Sequence, residues 1–249
     1  MKNIIYTFIF LSLGNIYNLW GQENRNKFGC LMKESNFHLG IDIQTKYMWR
    51  GMEMMTEEST PILFPQINYQ KSGFYAYIMG GYSLNGRYSE VDLGISYTHK
   101  WITFSLNDYY YPTTTINDQY LKFDNNTGHW FEGVITITPE KIPLYLTLSN
   151  FFYGADKNLK GQQAYSTYVE IGTYYDFLKY NRIALTIGSA CNESCYNGYE
   201  HGFGICNIEL KYSHTVSFKD GWSIPLNVAY ILNPIREKSF INFSTSLSF

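Results

Sequence analysis

Along most of the chain, apolar and polar residues alternate with a period of two, the pattern of strands that present one apolar face. In the stretch Phe240 to Phe249, the residues Ile241, Phe243, Thr245, Leu247 and Phe249 share one face, and Asn242, Ser244, Ser246 and Ser248 share the other. Val91, Leu93, Ile95 and Tyr97 oppose Asp92, Gly94, Ser96 and Thr98 in the same way. Trp222, Ile224, Leu226, Val228, Tyr230 and Leu232 line one side of a third stretch. Nearer the start, Phe37, Leu39, Ile41, Ile43, Tyr47 and Trp49 face away from His38, Asp42, Gln44, Lys46 and Arg50. Comparable patterns lie at roughly 60–70, 73–83, 101–111, 129–138, 142–152, 163–176, 182–191 and 203–218, which makes twelve predicted strands.

An even number of strands, each about 10 residues long, is what a closed bilayer-spanning barrel requires. The connections agree. Lys71-Ser72, His99-Lys100, Pro139 to Lys141, Leu178 to Asn181 and Lys219 to Gly221 are short. Gly51 to Glu58, Leu84 to Ser89, Pro112 to Gly128, Gly154 to Gln162 and Asn192 to Gly202 are longer, with Asn233 to Glu237 the exception. Short periplasmic turns alternating with long extracellular loops are expected of an outer-membrane barrel and not of a soluble sandwich. Lipid offers no partners to backbone N–H and C=O groups, so such strands must close into an edgeless sheet. The fold expected is therefore all-β: a closed, up-and-down antiparallel barrel over 36–249, its last strand pairing back to Phe37–Gly51. Pro65 and Pro225 fall inside predicted strands and each removes a ladder donor, so they are expected at bulges or barrel ends.

Composition sharpens this reading. Aromatic residues make up 18% of the chain, with 24 Tyr and 17 Phe, and charged residues only 16%, against roughly a quarter in soluble domains. Amphipathic rings in excess suit two membrane–water interfaces. Tyr47, Trp49, Tyr82 and Tyr109 to Tyr111 would form the outer girdle; Phe37, Tyr69, Trp101, Phe218, Trp222 and Phe249 would form the inner one. The net charge of −2 and the lack of a basic patch exclude an electrostatically driven nucleic-acid binder. Lys2 followed by the apolar stretch Ile4 to Leu13 reads as a signal peptide over 1–21, too short for a spanning helix, which needs about 20 residues. Residues 22–35 would then be a periplasmic segment.

The stretch Asp42-Ile43-Gln44-Thr45-Lys46-Tyr47-Met48-Trp49-Arg50-Gly51, followed by Pro61-Ile62-Leu63-Phe64-Pro65-Gln66 and Gly73-Phe74-Tyr75, resembles the TorF-like porin family over about residues 40–83. In that family a strand ending in Tyr-x-aromatic-Arg-Gly precedes a Pro…Gln strand and a Gly-Phe-Tyr turn. The resemblance implies a barrel more strongly than it implies transport.

The candidate chemistry lies on the lumen face: Asp42, Lys46 and Arg50, then Asp92, Glu132, Glu170, Glu209 and Lys211. They could form a narrow charged pore through which small polar solutes diffuse, or they could pair with one another and fill the lumen. Arg50 could meet an anionic solute or, structurally, lock a loop through a carboxylate fork. A non-transporting barrel acting through its outer loops, notably Pro112 to Gly128 with Tyr120 and Phe123, is the alternative function. The scattered histidines 38, 99, 129, 201 and 214 suggest no metal site, and no cofactor is implied. Ser213 and His214 are adjacent on a strand and point to opposite faces, so they cannot form a nucleophile–base pair. Cys191 and Cys206 flank the fifth outer loop and are a candidate disulfide pinning its base. Cys191–Cys195 would instead close a small ring, and Cys30 should lie at the other membrane face. The terminal Phe249 resembles the signal read by the barrel-assembly machinery. The expected partners are thus that machinery, outer-membrane lipid and small polar solutes.

Overall fold

The computed structural model describes residues 36–55, 59–112, 119–219 and 223–248. The proposed signal peptide, the segment 22–35, Cys30, Trp222 and Phe249 lie outside them.

The strands are β1 (Phe37–Gln44), β2 (Met48–Trp49), β3 (Met52–Glu53), β4 (Ile62–Lys71), β5 (Phe74–Ser83), β6 (Ser89–His99) and β7 (Ile102–Tyr110). They continue with β8 (His129–Ile137), β9 (Leu144–Gly154), β10 (Thr167–Phe177), β11 (Asn181–Ala190), β12 (Gly204–Ser217), β13 (Ser223–Asn233) and β14 (Lys238–Ser248). All but β2 and β3 form one closed antiparallel barrel of twelve strands, ordered β1-β14-β13-β12-β11-β10-β9-β8-β7-β6-β5-β4. Closure is made where the alternation predicts it: β1 pairs with β14, Gly40 opposite Ser248 and Gln44 opposite Ser244. No sheet edge is left on this wall, the condition set by an apolar solvent.

The two faces separate by side-chain parity. Leu39, Ile67, Ile78, Ile95, Leu106, Leu148, Leu210 and Phe243 are exposed on the outside, a belt that only an apolar medium would satisfy. Inside, Asn68, Asp92, Asn107, Thr136, Thr147, Thr186, Asn227 and Asn242 are buried. Large rings lie across inward glycines: a Cβ on Gly172 would be 2.1 Å from Tyr145, and one on Gly188 would be 1.9 Å from the Tyr168 hydroxyl. Those glycines make room for tyrosines in the lumen.

One end of the barrel carries short turns, among them Ser72-Gly73, while the other carries the long connections, as the alternation of lengths predicts. The prolines occupy tolerant places. The β4–β5 register passes from Leu63↔Tyr82 to Gln66↔Met79, skipping Pro65, and Pro225 precedes the first β13–β14 pair, Leu226↔Thr245.

Two expectations need correcting. The first strand stops at Gln44 instead of running to Arg50, and Tyr47 and Trp49 are 2% and 4% exposed inside the barrel, not on the lipid face. The outer girdle also loses Tyr109, which faces the lumen at 2% exposed, and Tyr110, covered by Tyr120 and His129. Tyr82 is exposed as expected, as are Phe37, Trp101 and Phe218 at the other end. Parity along a strand was correct; what it could not show was that the chain leaves the wall.

Candidate functional site

Beyond Gln44 the chain turns into the lumen. The Thr45 hydroxyl and the Lys46 backbone N–H both donate to the Asn242 side-chain oxygen, at 2.9 and 3.1 Å. Met48–Trp49 then pairs with Met52–Glu53 in a small hairpin. Its turn residues Arg50 and Gly51 have φ of 49° and 79°, the pair of left-handed conformations that a type I′ turn needs. A Cβ at residue 51 would sit 2.0 Å from the Cys206 carbonyl oxygen, so glycine alone lets the tip press against β12. The Gly51 carbonyl accepts a hydrogen bond from the Asn233 side chain at 3.0 Å. The Arg-Gly pair is therefore the tip of an inward hairpin, not the outer end of a wall strand.

Arg50 is 8% exposed and its ion-pair partner Glu132 is fully buried. The guanidinium donates to one Glu132 oxygen and to the Tyr196 hydroxyl, while the Tyr109 hydroxyl donates to the other Glu132 oxygen at 2.8 Å. The guanidinium carbon lies 4.6 Å from the Trp49 ring centroid, 4.8 Å from that of Tyr168 and 5.6 Å from that of Tyr196. A weakly hydrated planar cation suits this aromatic surround better than an ammonium would. Rings continue around it: Phe151 stacks on Tyr196 at 6.4 Å and lies 6.1 Å from Trp49. Tyr196 comes from a short 3-10 turn, Cys195–Asn197, in the loop between β11 and β12. Wall, hairpin and loop thus converge on one buried cation.

The other predicted lumen residues divide into paired and unpaired. The Lys46 ammonium meets Glu53 at 2.8 Å and Ser59 at 3.1 Å, securing the hairpin's base. Lys211 pairs with Glu209 at 2.8 Å on the same inward face of β12. Glu170 accepts from the hydroxyls of Tyr145 and Tyr168, at 2.7 and 2.5 Å. Asp42 faces inward toward the short-turn end, opposite Ser246. Asp92 is fully buried, and neither of its carboxylate oxygens has a partner among the described residues. Toward the short-turn end of β8 and β9, Thr136 and Thr147, whose hydroxyls are 3.2 Å apart, are 1% and 3% exposed. Charge pairs therefore account for Lys46, Arg50, Glu132, Glu209 and Lys211, while Asp92 stands outside them.

Several contributors escaped the sequence reading. Tyr109, Tyr168 and Tyr196 surround Arg50, yet as tyrosines in a tyrosine-rich chain they gave no separate signal. Glu90 shares the inward parity of Asp92 and could have been found by extending that strand one residue toward its start. The cysteine expectation is corrected: Cys191, Cys195 and Cys206 are free thiols. Cys191 is exposed, while Cys206 is buried in the lumen with its sulfur 3.8 Å from the Gly188 carbonyl oxygen. A bulge in the β11–β12 register between Gly188 and Ser189 accompanies this arrangement. Ser213 and His214 do point to opposite faces, and His214 meets the Asn181 side chain at 3.0 Å.

No family model matches the chain, and no curated protein matches it. Solved membrane-protein structures do align with it. One comes from work on the in-meso crystallization of membrane proteins, at 8% identity and a TM-score of 0.48, covering 86% of this chain and 83% of that one. The outer membrane protein OpdK from Pseudomonas aeruginosa aligns at 12% identity and a TM-score of 0.37, covering 78% of this chain and 59% of its own. OmpF of Salmonella typhi, in complex with daunomycin, aligns at 8% identity and a TM-score of 0.40, covering 86% and 96%. At these values the architecture rests on the chain's own strand order and faces.

Proposed function

We propose that the chain is an outer-membrane barrel of the porin type, a route for small polar solutes that the 45–55 hairpin holds shut in the state described. The observation that supports this most directly is the wall itself: its outward side chains are apolar and its inward ones include Asn68, Asn107, Thr136, Thr147, Thr186, Asn227 and Asn242, around a cluster of buried rings and methionines contributed largely by the hairpin. Away from that cluster, a wall that turns Asn and Thr inward suits a passage for polar solutes, since a permanently packed core is at least as stable when apolar. The hairpin joins the wall through Arg50–Glu132, and moving a segment of this kind is how such a lumen would open. In this reading Asp42, Glu170, Glu209 and Lys211 meet the passing solute, lipid surrounds the outer belt, and Phe249 is read by the assembly machinery.

The test is conductance in planar bilayers, for the wild-type protein and for Arg50→Ala. Brief openings in the wild type and long ones in the variant support the proposal. Silence from both, with the protein folded, would sink it.

A second reading is favoured by one specific observation. The 119–128 loop folds over the barrel wall, with Tyr120 and Phe123 on His129, at ring-centroid distances of 5.1 and 4.7 Å. A permanently filled barrel that binds a partner through this loop would conduct nothing, and deleting the loop would abolish its interactions.

A further inference from the structure

In the described lumen, a buried negative charge is usually placed beside a partner. Glu132 has Arg50, Glu209 has Lys211, and Glu170 has two tyrosine hydroxyls. The segment β6 breaks this rule. Glu90 and Asp92 stand two residues apart on its inward face, 2% and 0% exposed. The hydroxyls of Tyr47 and Tyr88 both donate to one Glu90 oxygen, at 3.2 and 2.7 Å. The other Glu90 oxygen and both Asp92 oxygens have no hydrogen-bond partner among the described residues. The carboxylates Glu90 and Asp108 both act on Asp92 electrostatically, and no hydrogen bond offsets them at either Asp92 oxygen among the described residues. Asp108 is itself engaged by His129 at 2.8 Å.

Burying one ionised carboxylate without a partner is costly, and burying two side by side is more so. We infer that Glu90 and Asp92 bind a calcium-sized divalent cation inside the barrel. Three carboxylate oxygens without a hydrogen bond, on two side chains that would carry two negative charges when ionised, suit a hard, oxygen-seeking dication, which neutralises both groups at once. Calcium accepts irregular geometry and a mixture of carboxylate, carbonyl and water oxygens, whereas magnesium demands a near-ideal octahedron. Soft or nitrogen-preferring metals fit poorly, because both ligands are carboxylates; no third His, Cys, Asp or Glu side chain joins them among the described residues, so the remaining ligands would be water or backbone oxygens. The site adjoins the hairpin through Tyr47, so an occupied site would tie the hairpin to β6 as Arg50 ties it to β8. The proposal does not depend on conduction.

Terbium binds calcium sites and emits when a nearby tyrosine is excited, and Tyr47 and Tyr88 touch Glu90 directly. The full chain, refolded in detergent free of lipopolysaccharide, would be titrated with terbium and then with calcium, its folding checked by heat-modifiable gel mobility. The expected result is sensitised emission that calcium abolishes, absent in Asp92→Asn and at least tenfold weaker in Glu90→Gln. Calcium should also raise the melting temperature of the wild type and leave that of Asp92→Asn unmoved. Emission equal in wild type and Asp92→Asn, or a melting temperature indifferent to calcium and to chelator, would overturn the inference. The second outcome would leave a shared proton as the way the pair is neutralised.

Discussion

Replacing Arg50 by alanine is the perturbation with the most predictable size. It leaves the fully buried Glu132 carboxylate with the Tyr109 hydroxyl, removes the donor to Tyr196, and takes a guanidinium away from three rings. Removing one member of a buried ion pair costs about 3–5 kcal/mol, because the remaining charge is left uncompensated. The ring contacts are worth roughly 0.5–2 kcal/mol each but share the same cation, so they do not add in full. Most of this loss falls on the seated hairpin, since a displaced hairpin leaves the lumen wall free to hydrate Glu132. With every 1.4 kcal/mol a factor of about ten, the ratio of seated to displaced hairpin should fall by roughly two to three orders of magnitude. Single-channel recording reads this as open probability, and the double variant Arg50→Ala/Glu132→Ala should recover part of the lost closure. If the folded Arg50→Ala protein is as silent as the wild type, the ion pair does not hold a gate. If the two substitutions are simply additive, the pair is not coupled.

Further outcomes follow from the same geometry. Gly51→Ala places a methyl group 2.0 Å from the Cys206 carbonyl oxygen in a left-handed turn, so it should unseat the hairpin and cost a few kcal/mol; unchanged denaturant stability would contradict this. In a Cys30→Ser background, a maleimide at mildly alkaline pH should label exposed Cys191 and spare buried Cys206. Burial also pushes the Cys195 thiol above its ordinary range, so mass mapping should find it protected. Lys211→Met leaves Glu209 without its partner at 2.8 Å and should destabilise the barrel by about 3 kcal/mol. Lys211→Met/Glu209→Met should recover most of that in urea unfolding.

The fold was legible because a period of two is a local property of the chain. Each strand needs one apolar face wherever it lies, and the length and parity of each segment carry that requirement. Closure by β14 on β1 followed from strand number and from the intolerance of lipid for open edges. The inward charges were legible for the same reason, by parity from their apolar neighbours. The alternation continues past Gln44 to Tyr47 and Trp49, yet the chain turns inward there, because an aromatic residue satisfies either lipid or a buried core. Only the tertiary structure decided between them, through a type I′ turn at Arg50-Gly51 that packs against β12, more than 150 residues away. The pairing of Arg50 with Glu132 and Tyr196, and the isolation of Asp92, were likewise set by registers across the sheet. Sequence alone determined that this chain is a closed barrel whose wall strands turn one polar face inward. What fills that interior depended on which distant side chains the closed wall brings within a few ångströms.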